Sequence, residues 1–141
     1  MAGQKRHWVH TVHKKHLGDG EMTDGAFTAL VKVLIEGLEE DTRCRWFSGQ
    51  FEVCPKTKRL HAQCYSEWHN SLRLSEVIKA IPSHVEMKSK DSTRTQARDY
   101  SLKEASRVAE LGSLGEWIPD AEESARVGGK SRSTMSAIAV S

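Results

Sequence analysis

The sequence predicts an α+β domain, an antiparallel sheet of about five strands with helices packed on it. Three features lead there. Stretches with a period of two alternate along the chain with stretches of helical period. Two of the period-two stretches are joined by a short polar turn, as in a hairpin, and not by a helix. The apolar residues of that pair fall on one face, which leaves the sheet a buried side and a side for polar groups.

Taken in order, His7 to His13 is β-rich and reads as the first strand, with Val9, Thr11 and His13 on one face and Trp8, His10 and Val12 on the other. His10 lies on an apolar face and reads as a satisfied core residue. Lys14 to Glu21, with Gly18 and Gly20, reads as a loop. Phe27, Leu30, Val31, Leu34, Ile35 and Leu38 recur at helical spacing, and Thr23 or Asp24 is placed to cap that helix. Trp46 to Cys54 and Leu60 to Trp68 form the hairpin around Pro55-Lys56-Thr57-Lys58. Ser71 to Ile81 reads as an amphipathic helix on Leu74, Val77, Ile78 and Ile81, ended by Pro82. His84 to Ser89 alternates again, with Val85 and Met87 on one side. Ser92 then caps a helix running to about Ala105, and Arg107 to Leu111 is a last strand.

The hairpin has one register that keeps its faces apart. With Cys54 and Arg59 flanking a four-residue loop, Glu52 lies opposite His61 and Gln50 opposite Gln63, while Phe51 meets Ala62 and Val53 meets Leu60. A slip of one residue would mix the apolar and polar sets. One face then carries a carboxylate, an imidazole and amides, joined by Tyr65 and Glu67.

Composition narrows the class. Of 141 residues, 38% are hydrophobic and 28% charged, which fits a soluble domain with a core and a short tail. No apolar run approaches the roughly 18 residues of a membrane span, and the N-terminus reads as having no secretory segment. Three cysteines, with no close pair, argue against a disulfide framework or a zinc site. The net charge of +2 does not by itself demand a nucleic-acid partner, but Lys5, Arg6, Lys14 and Lys15 cluster, as do Lys88, Lys90, Arg94 and Arg98. Residues 1–119 read as the folded domain. After Pro119 the chain turns to small and polar residues, and 120–141 reads as a linker or the start of a following oligomerisation or helicase region. Gly-Gly-Lys-Ser at 128–131 is not a phosphate loop, because the first glycine of that pattern is replaced by Ser124 and no strand precedes it.

Glu52, His61 and Gln63 offer two oxygens and one nitrogen. This hard set suits Mg²⁺ or Mn²⁺ with coordination positions left for substrate, more than zinc. Tyr100 precedes Lys103 by three residues, and with Gln96 they share a helical face. A phenol beside a cation can serve as a nucleophile. Such a Tyr-x-x-Lys spacing is common, and its weight comes from its combination with the hairpin.

Three segments in order resemble the motifs of the replication initiator (Rep) proteins of small circular single-stranded DNA viruses, whose nuclease domain is of the HUH class. Trp8-Val9-His10-Thr11-Val12 resembles the first motif. Leu60-His61-Ala62-Gln63 resembles the second in its His-x-Gln form, and Arg98 to Glu104, around Tyr100, resembles the third. Leu72 to Ser75 and His84 to Glu86 are also similar, so the likeness covers roughly residues 6 to 118. The chain departs from the family at His10, where an aromatic or aliphatic residue is usual, and around His13 and Lys14, where Asn or Thr is common.

The resemblance implies an HUH-type sheet and a sequence-specific single-stranded DNA endonuclease that also joins strands, starting rolling-circle replication through a 5′-phosphotyrosine intermediate. It implies Tyr100 as nucleophile with Lys103 assisting, and Glu52, His61 and Gln63 as ligands of Mn²⁺ or Mg²⁺. The DNA contacts expected with it are Arg6, Thr11, Lys14, Gln50, Tyr65, Lys88, Lys90, Thr95 and Gln96. The partner would be a viral origin, a stem-loop, in the host nucleus. The domain would be monomeric alone and oligomeric at full length. Trp8, Tyr65 and Trp68 are candidate stacking platforms, although parity sends Trp8 and Trp68 to the core. Two other classes fit parts of the pattern: a non-catalytic single-stranded DNA or RNA binding module, and a metal-dependent hydrolase using a metal-bound water.

Overall fold

The fold is built outward from the hairpin, in a computed structural model that describes residues 4–119. Strands β2 (Cys44–Val53) and β3 (Leu60–Arg73) pair antiparallel in the expected register, with Val53 opposite Leu60, Phe51 opposite Ala62, Glu52 opposite His61 and Gln50 opposite Gln63. The turn closes as a four-residue loop. Cys54 N–H donates to the Arg59 carbonyl at 3.0 Å and Lys58 N–H to the Cys54 carbonyl at 2.8 Å. Strand β1 (Gln4–Val12) flanks β3, β4 (His84–Met87) flanks β1, and β5 (Arg107–Gly115) flanks β2. The result is a five-stranded antiparallel sheet of order β4-β1-β3-β2-β5.

One face is dry. Trp8 and Val12 of β1, Phe47 and Phe51 of β2, and Leu60, Ala62, Cys64 and Trp68 of β3 share a core. The helix α2 (Asp24–Glu39) lies in that core through Phe27, Val31, Ile35 and Leu38. These positions recur every three or four residues, which puts them on one side of a helix. Thr23 caps it, its hydroxyl accepting from Ala26 N–H at 3.1 Å. Phe27 meets Phe51 edge-on at a centroid distance of 6.0 Å. Gly49 admits a close approach here, since a Cβ on it would come 2.9 Å from Cys64 Sγ and 3.1 Å from the Gln63 carbonyl.

His10 is fully buried on this face, as parity indicates. Ser83 Oγ donates to the Ile81 carbonyl, so it accepts from His10 Nδ1 at 3.1 Å, and His10 Nε2 accepts from Ser66 Oγ at 2.6 Å. Both ring nitrogens are satisfied by a neutral imidazole, and burial pushes its pKa down to about 3. It is a core residue that ties β1 to β3 and to the segment before β4.

Several boundaries differ from the sequence reading. The stretch after β1 contains a helical turn, α1 (Lys14–Leu17). Strand β3 runs on to Arg73 because an irregularity in β3, where residues 68–71 stand against Arg6 alone, lets Leu72 and Arg73 pair with Lys5 and Gln4, so α3 spans only Leu74–Ala80. Leu74 and Ile78 of its supposed stripe are exposed, and Val77 and Ile81 make the contact with the core. Helix α4 spans Arg94–Tyr100, shorter than expected, and is capped by Thr93 instead of Ser92. A 3-10 turn follows at Glu104–Ser106, and β5 extends past Leu111 to Gly115. The expected linker and the Gly-Gly-Lys-Ser run lie outside the described residues. Among the described residues, no helix is long and apolar enough to cross a membrane.

Because Phe27 is fully buried, Phe27→Ala should destabilise the fold by about 3–5 kcal/mol. Urea unfolding checks this, with the half-exposed Tyr100→Phe as a control expected to shift stability by no more than about 0.5 kcal/mol.

Candidate metal and tyrosine site

The second face of the sheet is polar yet largely covered. It carries Val9 and Thr11 from β1, Trp46, Ser48, Gln50 and Glu52 from β2, and His61, Gln63, Tyr65 and Glu67 from β3. Helix α4 and the segment after it lie across these residues. Ala97 of α4 packs with Trp46, Tyr65 and Trp117, and Val9 lies against the cluster. Trp117 meets Trp46 edge-on at 5.3 Å, and the guanidinium groups of Arg94 and Arg98 each stand 4.4 Å from a Trp117 ring centroid. Such cation–π contacts hold best where water is excluded.

A buried carboxylate pins the same helix. Glu67 accepts from Arg45 at 2.8 Å, from Arg94 at 2.8 and 2.7 Å, and from the Tyr65 hydroxyl. Burial opposes its charge, but the hydrogen bonds from Arg94, Tyr65 and Arg45 prevail and hold its pKa at about 2, against an ordinary 4.5. Arg45 comes from β2 and Arg94 from α4, so one carboxylate joins two strands and the helix.

The candidate ligands stand at the other end of this face. Glu52 and His61 are directly opposed, with Glu52 Oε1 3.5 Å from His61 Nε2. That is longer than a good hydrogen bond, yet short enough for both atoms to reach one ion with bonds of about 2.0–2.1 Å. His61 Nδ1 is buried with no hydrogen-bond partner. A cation between Glu52 Oε1 and His61 Nε2 would give Nε2 the partner that the long Glu52 contact does not, while Nδ1 lies on the other edge of the ring. Glu52 is already oriented, since its Oε2 accepts from Gln50 Nε2 at 2.8 Å and from Ser106 Oγ at 3.0 Å. Hydrogen bonds of this sort fix ligating carboxylates. Gln63 is two residues from His61 on the same face, and its Oε1 accepts from Thr11 Oγ1 at 3.3 Å. Among the described residues no three His, Cys, Asp or Glu side chains gather as a metal site. On that face the Gln63 amide oxygen is the side-chain oxygen two residues along the strand from His61 that is available as a third ligand. Two oxygens and a nitrogen fit Mg²⁺ or Mn²⁺.

Gln50 links this pair to the tyrosine segment. Fully buried, it donates from Nε2 to Glu52 Oε2 and also, at 2.8 Å, to the Lys103 carbonyl, and its Oε1 accepts from Arg107 Nε at 3.1 Å. Arg107 reaches the Leu102 carbonyl at 2.7 Å. Ser101 Oγ donates to the Arg98 carbonyl and accepts from Ser48 Oγ at 2.7 Å. Residues 101–103 are thus stitched to β2 beside Glu52. Tyr100, at the end of α4, is half-exposed, and Lys103 Nζ lies 3.7 Å from its ring centroid. The pair does meet, but through a turn, because α4 ends at Tyr100. Beside Tyr100 a cavity of about 430 Å³ is lined by Val9, Met87, Ser92, Gln96 and Ala97, among others.

The residues expected to contact DNA separate into two groups. Gln50 and Tyr65 are fully buried with their polar atoms hydrogen-bonded inside the fold. The structure gives them internal roles, since α4 and the 101–107 segment cover their face. Trp8 and Trp68 are likewise buried in the core and not open to stacking. Arg6, Lys90 and Gln96 are exposed, and Thr11 and Thr95 are half-buried. Lys14 pairs with Asp24 at 2.7 Å, and Lys88 Nζ donates to the Ser89 and Ser92 carbonyls, which ties down the loop before α4. Arg107, Ser106 and the Glu67–Arg45–Arg94 cluster escape sequence reasoning. Parity places Glu67 on this face, but its partner Arg94 comes from a distant helix. No protein-family model matches the chain, and no curated protein is significantly similar to it.

The depressed Glu67 pKa sets a pH window. Its contribution to stability is complete above pH 4.5, the value of the unfolded chain, and is lost as pH falls through about 2. Glu67→Gln, which leaves two guanidiniums without their counter-charge, should flatten that acid limb and cost about 3–5 kcal/mol at neutral pH. Denaturant titrations across this range check both.

Proposed function

We propose that this chain is a metal-assisted, single-stranded DNA nickase and strand-joining enzyme of the HUH replication-initiator class. The observation that carries the reading is the joint placement of Glu52, His61 and the Tyr100–Lys103 segment, tied through Gln50 on one sheet face. The three motif resemblances favour it as well.

Glu52, His61 and Gln63 would hold Mg²⁺ or Mn²⁺, which when bound neutralises charge on the non-bridging oxygens of the scissile phosphate. The Tyr100 hydroxyl attacks phosphorus in line. The new bond joins phosphorus to the tyrosine oxygen, the bond from phosphorus to the 3′-oxygen breaks, and the phenolic proton ends on that 3′-oxygen. The products are a free 3′-hydroxyl and a 5′-phosphotyrosine. Lys103 holds its ammonium at the Tyr100 ring, where it favours negative charge building on the phenol. Gln50 and Ser106 keep Glu52 turned toward His61. One phosphodiester replaces another, so attack by a 3′-hydroxyl runs the step backwards and joins ends.

Single-stranded DNA suits the surface. The cavity beside Tyr100, walled by Val9, Met87 and Ala97 with the Gln96 amide at its edge, has the size and mixed polarity to take a base next to the cut. Base contacts of this kind are worth about 1–3 kcal/mol where stacking occurs. Arg6, Thr11, Lys14, Lys88, Lys90, Thr95 and Gln96 remain the residues assigned to the strand. The substrate is a viral origin, presented as a stem-loop in the host nucleus, and the domain works as a monomer that oligomerises at full length.

Incubation with Mn²⁺ and a labelled origin-like oligonucleotide, followed by denaturing electrophoresis, tests the reading. A covalent adduct is expected, abolished by Tyr100→Phe and reduced at least about tenfold by His61→Ala. Cleavage without an adduct would assign the attack to water. Binding with neither product nor adduct would make the domain a non-catalytic module.

A further inference from the structure

Beyond His61 the same face ends at a second feature with its own chemistry. The β2–β3 turn and the segment after β1 enclose a cavity of about 490 Å³, lined by His13, Lys14, Lys15, Cys54, Thr57 and Arg59 among others. No carboxylate is among its lining residues. Lys14 is offset by Asp24, whose side chain is 70% exposed, whereas Lys15 and Arg59 are exposed at the rim. Lys56 and Lys58 add two more cations to the same turn. So many like charges around one mouth repel each other unless an anion sits between them.

The cavity adjoins the candidate ligand pair. His13 forms part of its wall, and the His13 ring lies 5.6 Å, centroid to centroid, from that of His61. A guanidinium, ammonium groups and the Thr57 hydroxyl are the donor types that recognise phosphate oxygens. The volume exceeds what a lone small anion would fill.

We propose that this cavity is a second phosphate site, which takes a phosphodiester of the single strand next to the one held at Glu52 and His61. The identification of the anion as part of a DNA strand rests on the proposed function, while the site itself rests on the cavity and its charge. Bound there, the strand would be fixed on both sides of the ligand pair, with a base beside Tyr100 and a backbone phosphate at Lys15 and Arg59. This would hold the scissile bond taut across the sheet, as an in-line attack requires.

Cys54 provides a reporter in the cavity wall. Hydrogen bonds from the Thr57 hydroxyl and from the Thr57 and Lys56 backbone N–H groups pull its thiol down to about 7. Burial pushes Cys44 up to about 12 and raises Cys64 as well. Iodoacetamide near neutral pH should therefore label Cys54 first.

The experiment measures that labelling rate, by mass spectrometry and without metal, in the presence of a single-stranded oligonucleotide or of inorganic phosphate. It also measures oligonucleotide affinity against salt for the wild type and for a Lys15→Gln, Arg59→Gln double variant. The oligonucleotide is expected to slow Cys54 labelling several-fold, and the double variant to lose about 0.7 from the salt slope, the share of one phosphate contact on a single strand. An oligonucleotide that fails to bind, or binds without protecting Cys54, overturns the proposal, as does an unchanged salt slope. Protection by inorganic phosphate alone overturns the assignment to a strand. No cleavage is read, so a missing covalent adduct would count against the nuclease reading and leave this one standing.

Discussion

The register of the β2–β3 hairpin is the constraint on which the rest depends. A sheet residue faces one side or the other, and its neighbour faces the opposite side. Phe51, Leu60 and Ala62 are buried under α2, and their burial selects a single pairing of the two strands. That pairing places Glu52 across from His61 and Gln50 across from Gln63. The polar site is therefore positioned by the apolar one. Moving β2 by a residue would drive Glu52 toward the core, carry Phe51 to the polar face and leave His61 without its opposite carboxylate.

The second face meets a harder problem, because it is polar and covered. Burying amides and carboxylates is tolerable when each finds a partner. Here the partners come from the hairpin itself and from the α4 end of the chain. Gln50 bonds to Glu52, Lys103 and Arg107, and Glu67 bonds to Tyr65, Arg45 and Arg94. These two groups anchor α4 and its following turn at both ends. The polar satisfaction that stabilises the fold thus also fixes where Tyr100 stands relative to Glu52. Arg45 Nε and His61 Nδ1 are buried without a partner, and His61 Nε2 has only the long contact to Glu52, which is where a cation would act.

Much of this was legible in the sequence. Alternation in Leu60 to Trp68 and in Trp46 to Cys54 gave the hairpin, its loop length and the Glu52–His61 pairing. Helical spacing from Phe27 to Leu38 gave the core helix, although Leu30 proved exposed. Parity also assigned His10, Trp8 and Trp68 to the core. Parity names a face, however, and cannot say what lies on top of it. The sequence puts Gln50 and Tyr65 on a face open to DNA, whereas α4 folds over them through contacts that are remote in sequence. The strand extension to Arg73 depends on an irregularity within β3 opposite Arg6, and the Lys103 contact on a helix that stops at Tyr100. Neither leaves a periodic trace. The cation-lined cavity joins Lys15 to Arg59 across a sequence gap that only the folded hairpin closes.

Anomalous diffraction from crystals soaked in Mn²⁺ tests the central claim most directly, since it locates the ion without reference to activity. A peak bonded to Glu52 Oε1 and a His61 ring nitrogen, with the Gln63 amide oxygen as third protein ligand, is the result predicted. Density for Mn²⁺ elsewhere on the sheet, with Glu52 and His61 bare, would contradict the account.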